Sequence, residues 1–291
     1  VAAVAARKND GFSLRTYSQD VSAIDPNIIK VEKLTGSQEG ITVVGFNRPE
    51  ARNALSRKLV STLSYIIQEI KSDKNVRVVI IRSLVSGIFC AGADLKERLK
   101  LTQEEVAQNV PVLRRTIVCV EQLPVPVIAA IDGHALGGGL ELSLACDIRT
   151  AAEDVKMGLV ETSLAIMPGA GGTQRLPRIL NPSVAKELIF TSKVFNGKEA
   201  YEMGIVNHVC KQNETKDAAF KKALEIANQI LPNGPVGVRM AKKAIDEGLQ
   251  VDLATGYSIE EACYSQTIPT KDRIEALKAF AEKRKPRYTG E

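Results

Sequence analysis

An alternation of β-branched runs with helix-length segments most constrains the fold of this 291-residue chain. Three short apolar runs have the length and composition of strands: Ile41–Phe46, Val76–Arg82 and Val127–Ile131. Between the first two, Asn53–Lys71 carries apolar residues at helical spacing, and Thr102 with Glu105 has the capping-box pattern of a helix start. This order predicts an α/β domain in which crossover helices connect parallel strands.

The C-terminal part of the sequence has a different pattern. Beyond Lys211 no strand-like run remains. Four amphipathic segments follow, separated by Pro or Gly punctuation: Asp217–Leu231, Pro235–Leu249, Leu253–Gln266 and Thr270–Lys283. We therefore predict a core domain at residues 30–212 and a helical domain at residues 213–291. The pattern does not decide whether the helices pack on their own core or on another subunit.

Composition excludes several classes of protein. The hydrophobic fraction of 44% and the charged fraction of 25% argue against a disordered chain, and 4% aromatic residues with no Trp argue against a base-stacking surface. The net charge of +5 suits an anionic small ligand at least as well as nucleic acid. The most apolar stretch, residues 123–146, contains prolines, glycines, Asp132 and Glu141, so we expect no membrane span.

Cysteine and histidine usage argues against a structural metal site. The five cysteines are an odd number and form no C-x-x-C pair, and the only histidines are His134 and His208. We expect a reducing compartment and no bound metal.

The first 29 residues differ from the rest of the chain. They are basic, rich in hydroxyl side chains and poor in acids, and the run Arg15–Ser18 resembles a matrix-protease cleavage site. We predict a mitochondrial transit segment at residues 1–29 and hence a location in the mitochondrial matrix. A terminus without any targeting role is the alternative.

Two isolated carboxylates are the main candidates for catalysis. Glu141 is the only charged residue between residues 133 and 146, and Glu161 is the only one between residues 157 and 174, with histidine taken as neutral. Burying an unpaired carboxylate costs several kcal/mol, so such groups find partners or raise their pKa. A raised pKa is what general acid–base catalysis at neutral pH needs. The alternative is that each is a structural acid satisfied by a cap or by an arginine such as Arg149 or Arg175.

Glycine-rich turns near these acids are candidate ligand sites. Gly137–Gly139 marks a strand-to-helix turn with free N–H groups, which favour an anion or a developing oxyanion. A second turn, Phe89–Asp94, comes after the predicted strand at Val76–Arg82, and a third, Gly169–Thr173, is interpreted as a loop mainly supporting the Glu161 segment. We expect His134 to be part of the pocket wall.

Four segments together resemble the crotonase, or enoyl-CoA hydratase/isomerase, family over about residues 30–291. They are Ile128–Gly133, Gly137–Gly139, Leu144–Asp147 and Ala91–Lys96. The resemblance implies an α/β fold with a crotonase-like ββα spiral core and a C-terminal all-helical trimerisation segment.

The resemblance also implies roles for individual residues. The N–H groups of Ala93 and Gly138 would form an oxyanion hole for a thioester carbonyl, and Glu141 and Glu161 would hold one water and be catalytic. The residues matching the family's CoA-binding positions are Ala91, Gly92, Asp94, Leu95, Lys96 and Lys283.

A hydro-lyase reaction follows from this resemblance, because both glutamates favour a hydratase over an isomerase. The expected substrate is 3-methylglutaconyl-CoA of leucine breakdown, and the alternative is a short-chain enoyl-CoA of fatty-acid β-oxidation. No cofactor is expected, since CoA is part of the substrate.

The expected assembly is a homotrimer or homohexamer. RNA binding is the alternative from a different class. One relative carries a row of lysines on the first core helix, but the matching positions here are Arg57, Ser61 and Tyr65, so we expect weak phosphate binding.

Overall fold

Two sheets and the helices around them make up the computed structural model, which describes Asp25 and residues 27–291. The strands are β1 (Ile29–Lys33), β2 (Ile41–Phe46), β3 (Val78–Ser83), β4 (Ile88–Cys90), β5 (Val127–Ile131), β6 (His134–Leu136), β7 (Ile148–Ala152), β8 (Lys156–Gly158), β9 (Phe195–Asn196) and β10 (His208–Cys210). The helices are α1 (Arg57–Ser72), α2 (Leu95–Arg98), α3 (Gln103–Glu121), α4 (Gly138–Leu144), α5 (Gly172–Ile179), α6 (Pro182–Phe190), α7 (Gly197–Glu202), α8 (Ala218–Ile230), α9 (Pro235–Gly248), α10 (Leu253–Ser265) and α11 (Lys271–Ala281).

The larger sheet has six strands in the order β1-β2-β3-β5-β7-β10. All neighbours are parallel except β1 and β2, and α1 and α3 lie in the connections of the predicted strand-helix-strand order. The smaller sheet has the order β4-β6-β8-β9 and is parallel except between β8 and β9. The predicted α/β domain with parallel strands is therefore confirmed.

The two faces of the larger sheet bury different side chains. Val44, Ile81 and Ala129 belong to the main core, together with the apolar side of α1. Val43 and Ile80, their neighbours in sequence, point to the opposite face and pack with α8. This alternation follows from the two-residue period of a strand, and burial on both faces explains the unbroken apolar runs.

Helix starts follow local capping chemistry. The Ser56 side chain accepts a hydrogen bond from the Leu59 N–H and begins α1 at Arg57, four residues after the predicted start of that segment. The predicted capping box of Thr102 and Glu105 is present at α3. The start of α3 was therefore predicted correctly, because its capping box is visible in the sequence.

The C-terminal helices are tied to the core by polar contacts. The Asp132 carboxylate accepts hydrogen bonds from the backbone N–H groups of Ala219 and Phe220, at the start of α8. On α9, the Lys242 ammonium lies 2.7 Å from an Asp147 carboxylate oxygen. Helix α8 thus packs on the sheet, whereas α10 and α11 carry many exposed apolar side chains.

The predicted transit segment lies outside the described residues except for Asp25 and residues 27–29. Within the described part of the chain, no helix has both the length and the apolar character needed to cross a membrane.

Candidate active site

A cavity of about 490 Å³ lies where the loop after β4, the start of α4 and the wall of α3 meet. Both isolated glutamates line it, as do Ala93 and Gly138. Four segments far apart in sequence thus converge on one space, at the carboxyl ends of strands β4 and β6.

Glu141 lies on α4 and is 2% exposed. Its Oε1 accepts hydrogen bonds from the backbone N–H groups of Ala170 and Gly172, both at 2.8 Å. Burial raises the pKa of the Glu141 carboxyl, while these two hydrogen bonds, and then the charges of Arg175 and Arg114, oppose the rise. Among the described residues no group donates to Oε2, so that oxygen is available to a ligand.

Glu161 begins a 3-10 helix at Glu161–Leu164 and is 9% exposed. Its buried Oε2 has no hydrogen-bond partner among the residues that the structure describes. Burial, and then the charge of Glu141, raise the pKa of Glu161 to about 7. The two carboxyls therefore differ: Glu141 is held by backbone donors, and Glu161 is poised to change its protonation near neutral pH.

Two backbone N–H groups are available next to the glutamates. A Cβ built on Gly138 would lie 3.8 Å from the Ala93 nitrogen, so the two peptide units are neighbours. Within residues 27–291 neither the Ala93 nor the Gly138 N–H donates to a protein acceptor, whereas the Gly137 N–H is used by the Gly158 carbonyl at 2.8 Å. This arrangement suits an oxyanion, and Gly138 adds the amino terminus of α4.

Positive φ angles at two glycines allow the two turns to lie this close together. Gly92 has a φ of 92° and Gly137 a φ of 51°, values that residues other than glycine rarely adopt. A Cβ on Gly137 would also lie 3.2 Å from Glu161 Oε1. Both glycines therefore shape the space between the N–H groups and Glu161.

The predicted CoA-binding residues are only partly brought together. Ala91, Gly92, Asp94 and Leu95 line the cavity. The Asp94 carboxylate is already engaged, because it accepts from the Glu97 N–H and from Arg48 Nη1. Lys96 is exposed and does not line the cavity.

Lys283 also lies outside the residues lining this cavity, and it is exposed after the end of α11. The CoA-binding roles of Lys96 and Lys283 therefore remain predictions.

The structure corrects two expectations about neighbouring residues. His134 lies on β6, accepts a hydrogen bond from the Lys156 N–H through Nδ1, and is not part of the cavity wall. The Gly169–Thr173 loop holds Glu141 through backbone donors, and the Cβ position of Gly172 also lies 2.8 Å from Leu159 Cδ1, two residues before Glu161. Contacts between segments far apart in sequence decide both placements, and residue spacing does not contain them.

The two arginines considered as structural partners of the acids hydrogen-bond to neither glutamate. Arg149 donates to backbone carbonyls, and Arg175 pairs with Glu121 at 2.7 Å. The structural alternative is met only for Glu141, by backbone groups.

Sequence reasoning missed the polar residues of the opposite wall. Arg57, Arg98, Asn109 and Arg114 line the cavity, on α1, α2 and α3. The signal available for Arg114 was its helical spacing of four from Val110.

The comparisons with known proteins decide the family. The family model described as enoyl-CoA hydratase/isomerase matches residues 36–291. The chain belongs to the enoyl-CoA hydratase/isomerase family. Human mitochondrial methylglutaconyl-CoA hydratase is 57% identical to it over 277 residues, which are 95% of this chain and 81% of the human protein. Mouse mitochondrial enoyl-CoA hydratase domain-containing protein 2 is 53% identical over 262 residues, which are 90% of this chain and 88% of the mouse protein.

A solved structure of the enoyl-CoA hydratase/isomerase family has the same fold. The crystal structure of an enoyl-CoA hydratase from Bacillus anthracis has a TM-score of 0.86 to this chain at 49% identity, covering 91% of this chain and all of that one. The predicted family and the crotonase-like α/β fold with C-terminal helices are confirmed, and the protein is an enzyme of the hydro-lyase class.

Proposed function

We propose that this enoyl-CoA hydratase/isomerase family member adds water across the double bond of a 2-enoyl-CoA thioester. The observation that carries the proposal is the pair of unlike carboxyls, Glu141 and Glu161, in one cavity with two unused N–H groups. A hydratase needs one group that takes a proton from water and another that gives a proton to carbon.

The proposed reaction starts with the thioester carbonyl oxygen between the Ala93 and Gly138 N–H groups. Water adds its oxygen to the β-carbon while the Glu141 carboxylate accepts the proton that water loses. Glu161 gives its proton to the α-carbon. The negative charge that builds on the thioester oxygen is stabilised by the two N–H groups, and one such donor is worth about 3 kcal/mol.

Unlike surroundings support these unlike roles. Oε1 of Glu141 is used by two backbone donors, which favours the charged form, and Oε2 is left to hold the water. The pKa of Glu161, about 7, lets this group carry a proton at neutral pH. The mechanism calls on no cofactor and no metal; CoA enters as part of the substrate.

The proposed substrate is 3-methylglutaconyl-CoA, an intermediate of leucine breakdown. Support comes from the 57% identity to human methylglutaconyl-CoA hydratase. A short-chain enoyl-CoA of fatty-acid β-oxidation is the second candidate, since relatives at 52–53% identity have names without a stated acyl group.

The deciding experiment compares kcat/KM of the purified protein for 3-methylglutaconyl-CoA and crotonyl-CoA, followed by the loss of enoyl-thioester absorbance. We expect a strong preference for the branched diacid. Preference for crotonyl-CoA would contradict the substrate assignment, and activity on neither would contradict the hydratase proposal.

We propose a homotrimer or a dimer of trimers as the assembly. The support is a set of exposed apolar side chains on the C-terminal helices: Leu253, Tyr257, Tyr264, Leu277 and Phe280. Light scattering after size exclusion should give three or six times the 31.5 kDa chain mass. A monomer at all concentrations would contradict this proposal.

We propose the mitochondrial matrix as the location, supported by the mitochondrial names of the relatives from human and mouse. In protease-treated mitochondria and mitoplasts, the protein should stay protected until the inner membrane is opened. Digestion of the protein in intact mitochondria, or its recovery in the cytosol, would contradict this location.

A further inference from the structure

Helix α3 forms one wall of the cavity, and its lining is mainly apolar. Val106, Val110 and Leu113 follow one another at helical spacing along that wall. Two polar side chains interrupt them, Asn109 and Arg114. A pocket for a purely hydrocarbon acyl chain gains nothing from these two groups, because polar groups facing an apolar ligand lose hydration without compensation.

Arg114 is held at the glutamate side of the cavity. Its Nε donates to the Gly169 carbonyl at 2.8 Å, and a Cβ on Gly169 would lie 2.9 Å from Val110 Cγ1. The residue after Gly169, Ala170, donates to Glu141 Oε1. Burial raises the pKa of the Glu141 carboxyl, and the charge of Arg114 is one of the weaker causes that oppose this rise. The guanidinium therefore stands close to the place where a β-carbon must lie.

The remaining hydrogen-bonding capacity on this wall is unused. In the described part of the chain Arg114 donates one hydrogen bond, from Nε to the Gly169 carbonyl, and forms no ion pair; the residue is exposed, so its Nη atoms can meet solvent or a ligand. Asn109 Nδ2 is buried and lacks a partner there. A buried donor such as this amide is usually satisfied, so a ligand acceptor is expected beside Asn109.

The other two arginines of the cavity are placed differently. Arg57 pairs with Glu97 at 3.3 Å and lies 3.9 Å from Glu105, so its charge is already balanced. Arg98 ends α2, directly after the loop proposed to hold CoA. Arg114 is the cavity arginine in contact with the segment that holds Glu141.

We propose that Arg114, assisted by the side-chain amide of Asn109, binds a second carboxylate at the far end of the substrate acyl group. This inference rests on the proposed hydratase function and names the class of its substrate, an enoyl-CoA with a terminal carboxylate. Such a carboxylate lies two bonds beyond the β-carbon in a glutaconyl chain. It would stand near Glu141 and Glu161, and the repulsion needs a compensating cation. A guanidinium suits the task because it can bind a carboxylate through two parallel hydrogen bonds.

The test compares two substrates of equal shape that differ in charge. 3-Methylglutaconyl-CoA ends in a carboxylate, and 3,5-dimethylhex-2-enoyl-CoA has an uncharged isopropyl group in its place. For Arg114→Gln we expect kcat/KM on the diacid to fall about 10- to 100-fold, mainly through KM, with a change of less than about threefold on the neutral substrate. Arg114→Lys should recover part of the diacid activity, since it keeps the charge.

Two further variants serve as controls. Arg115→Gln removes the same charge one residue along α3, from a side chain that does not line the cavity, and should leave both substrates unaffected. Asn109→Leu should lower kcat/KM for the diacid several-fold without lowering it for the neutral substrate.

The outcomes distinguish a failure of the Arg114 inference from a failure of the proposed hydratase function. Equal losses on both substrates in Arg114→Gln would mean that Arg114 only positions Gly169 and Glu141, and would overturn this inference. A selective loss of the diacid in Arg98→Gln, with Arg114→Gln unaffected, would overturn it as well. If the wild-type enzyme hydrates the neutral substrate but not the diacid, the inference is overturned and the hydratase function stands. If it hydrates no enoyl-CoA, the proposed function itself is contradicted.

If Arg114→Gln does not fold, ligand binding is measured in place of turnover. Calorimetry on Arg114→Lys and the wild type would use glutaryl-CoA and its isostere 5-methylhexanoyl-CoA. A loss of affinity confined to glutaryl-CoA supports the inference, and equal affinities for both proteins overturn it.

Discussion

Glu141 raises the pKa of Glu161, and in the described part of the chain the Glu141 carboxylate is the one of the two that accepts hydrogen bonds from other residues. Its Oε1 accepts from two backbone N–H groups, while the buried Oε2 of Glu161 has no partner among the described residues. The stabilised charge of one carboxylate thus adds to burial in keeping the other protonated up to about pH 7. One pocket thus contains a carboxyl held by two backbone donors and a second carboxyl, Glu161, that is suited to carry a proton.

Replacing either carboxyl should remove most of the turnover. For Glu141→Gln and Glu161→Gln we expect kcat to fall about 10²- to 10⁴-fold, the range that a general acid or base contributes. Binding of the unreactive butyryl-CoA, measured by calorimetry, should stay within a few-fold of wild type. A variant with nearly wild-type turnover would remove that residue from the mechanism.

The rate of hydration should fall as the pH rises past about 7. Glu161 has a pKa of about 7, raised first by burial and then by Glu141, and it must be protonated to supply the α-proton. The measurement is kcat/KM from pH 5.5 to 9 at constant ionic strength. A profile that is flat from pH 6 to 9 would contradict the assignment of Glu161 as the proton donor.

The same shift should make Glu161 a source of instability at high pH. Because its pKa in the fold is raised from 4.5 to about 7, the native state binds more protons than the unfolded state between these values, and stability falls as pH rises through that window. The full penalty above pH 7 is at most about 3.5 kcal/mol, since each pKa unit corresponds to about 1.4 kcal/mol.

Glu161→Gln removes this penalty. In urea unfolding the variant should gain stability over wild type at pH 8, and the gain should nearly vanish at pH 4.5. Glu104→Gln, at an exposed position of α3, is the matched control and should show no such pH-dependent gain. If Glu161→Gln changed the free energy of unfolding equally at both pH values, the raised pKa of Glu161 would not be the cause of the instability.

Close packing at the third glycine of the turn should make it intolerant of a side chain. A Cβ on Gly139 would lie 2.3 Å from the Cys90 carbonyl oxygen, so Gly139→Ala forces the backbone of β4 and α4 apart. We expect a loss of about 2 kcal/mol or more in the free energy of unfolding, together with lost activity. Gly237→Ala on α9 meets no atom within 4 Å and should be neutral or stabilising by up to about 1 kcal/mol. Equal stability of both variants would contradict the packing argument.

RNA binding through α1 should be weak. Of the three positions matching the lysine row of the RNA-binding relative, only Arg57 is cationic, and it pairs with Glu97. Gel shifts with an AU-rich RNA should show no complex at 100 mM salt, because a single cation supplies few phosphate contacts and hence little affinity. A stable complex that Arg57→Gln abolishes would overturn this expectation.

Patterns with a strong local cause were predicted well. The bounds of β2 and β5 agree with the apolar runs, and the capping box at Thr102 is present as expected. Strands β4, β6, β8 and β9 were missed, because two or three residues are too few to show a strand period. The second turn was therefore attached to the strand at Val76–Arg82, although it follows β4.

The sequence by itself determined the fold class, the family resemblance and the two glutamates, because buried strands, capping residues and isolated carboxylates leave marks within short stretches of chain. Only the tertiary structure decided which groups surround those glutamates. Ala170 and Gly172 reach Glu141 from about 30 residues away, and Arg114 reaches Gly169 across 55. Burial and hydrogen bonding arise from such long-range contacts, so the unlike pKa values of two similar side chains depend on how the chain folds.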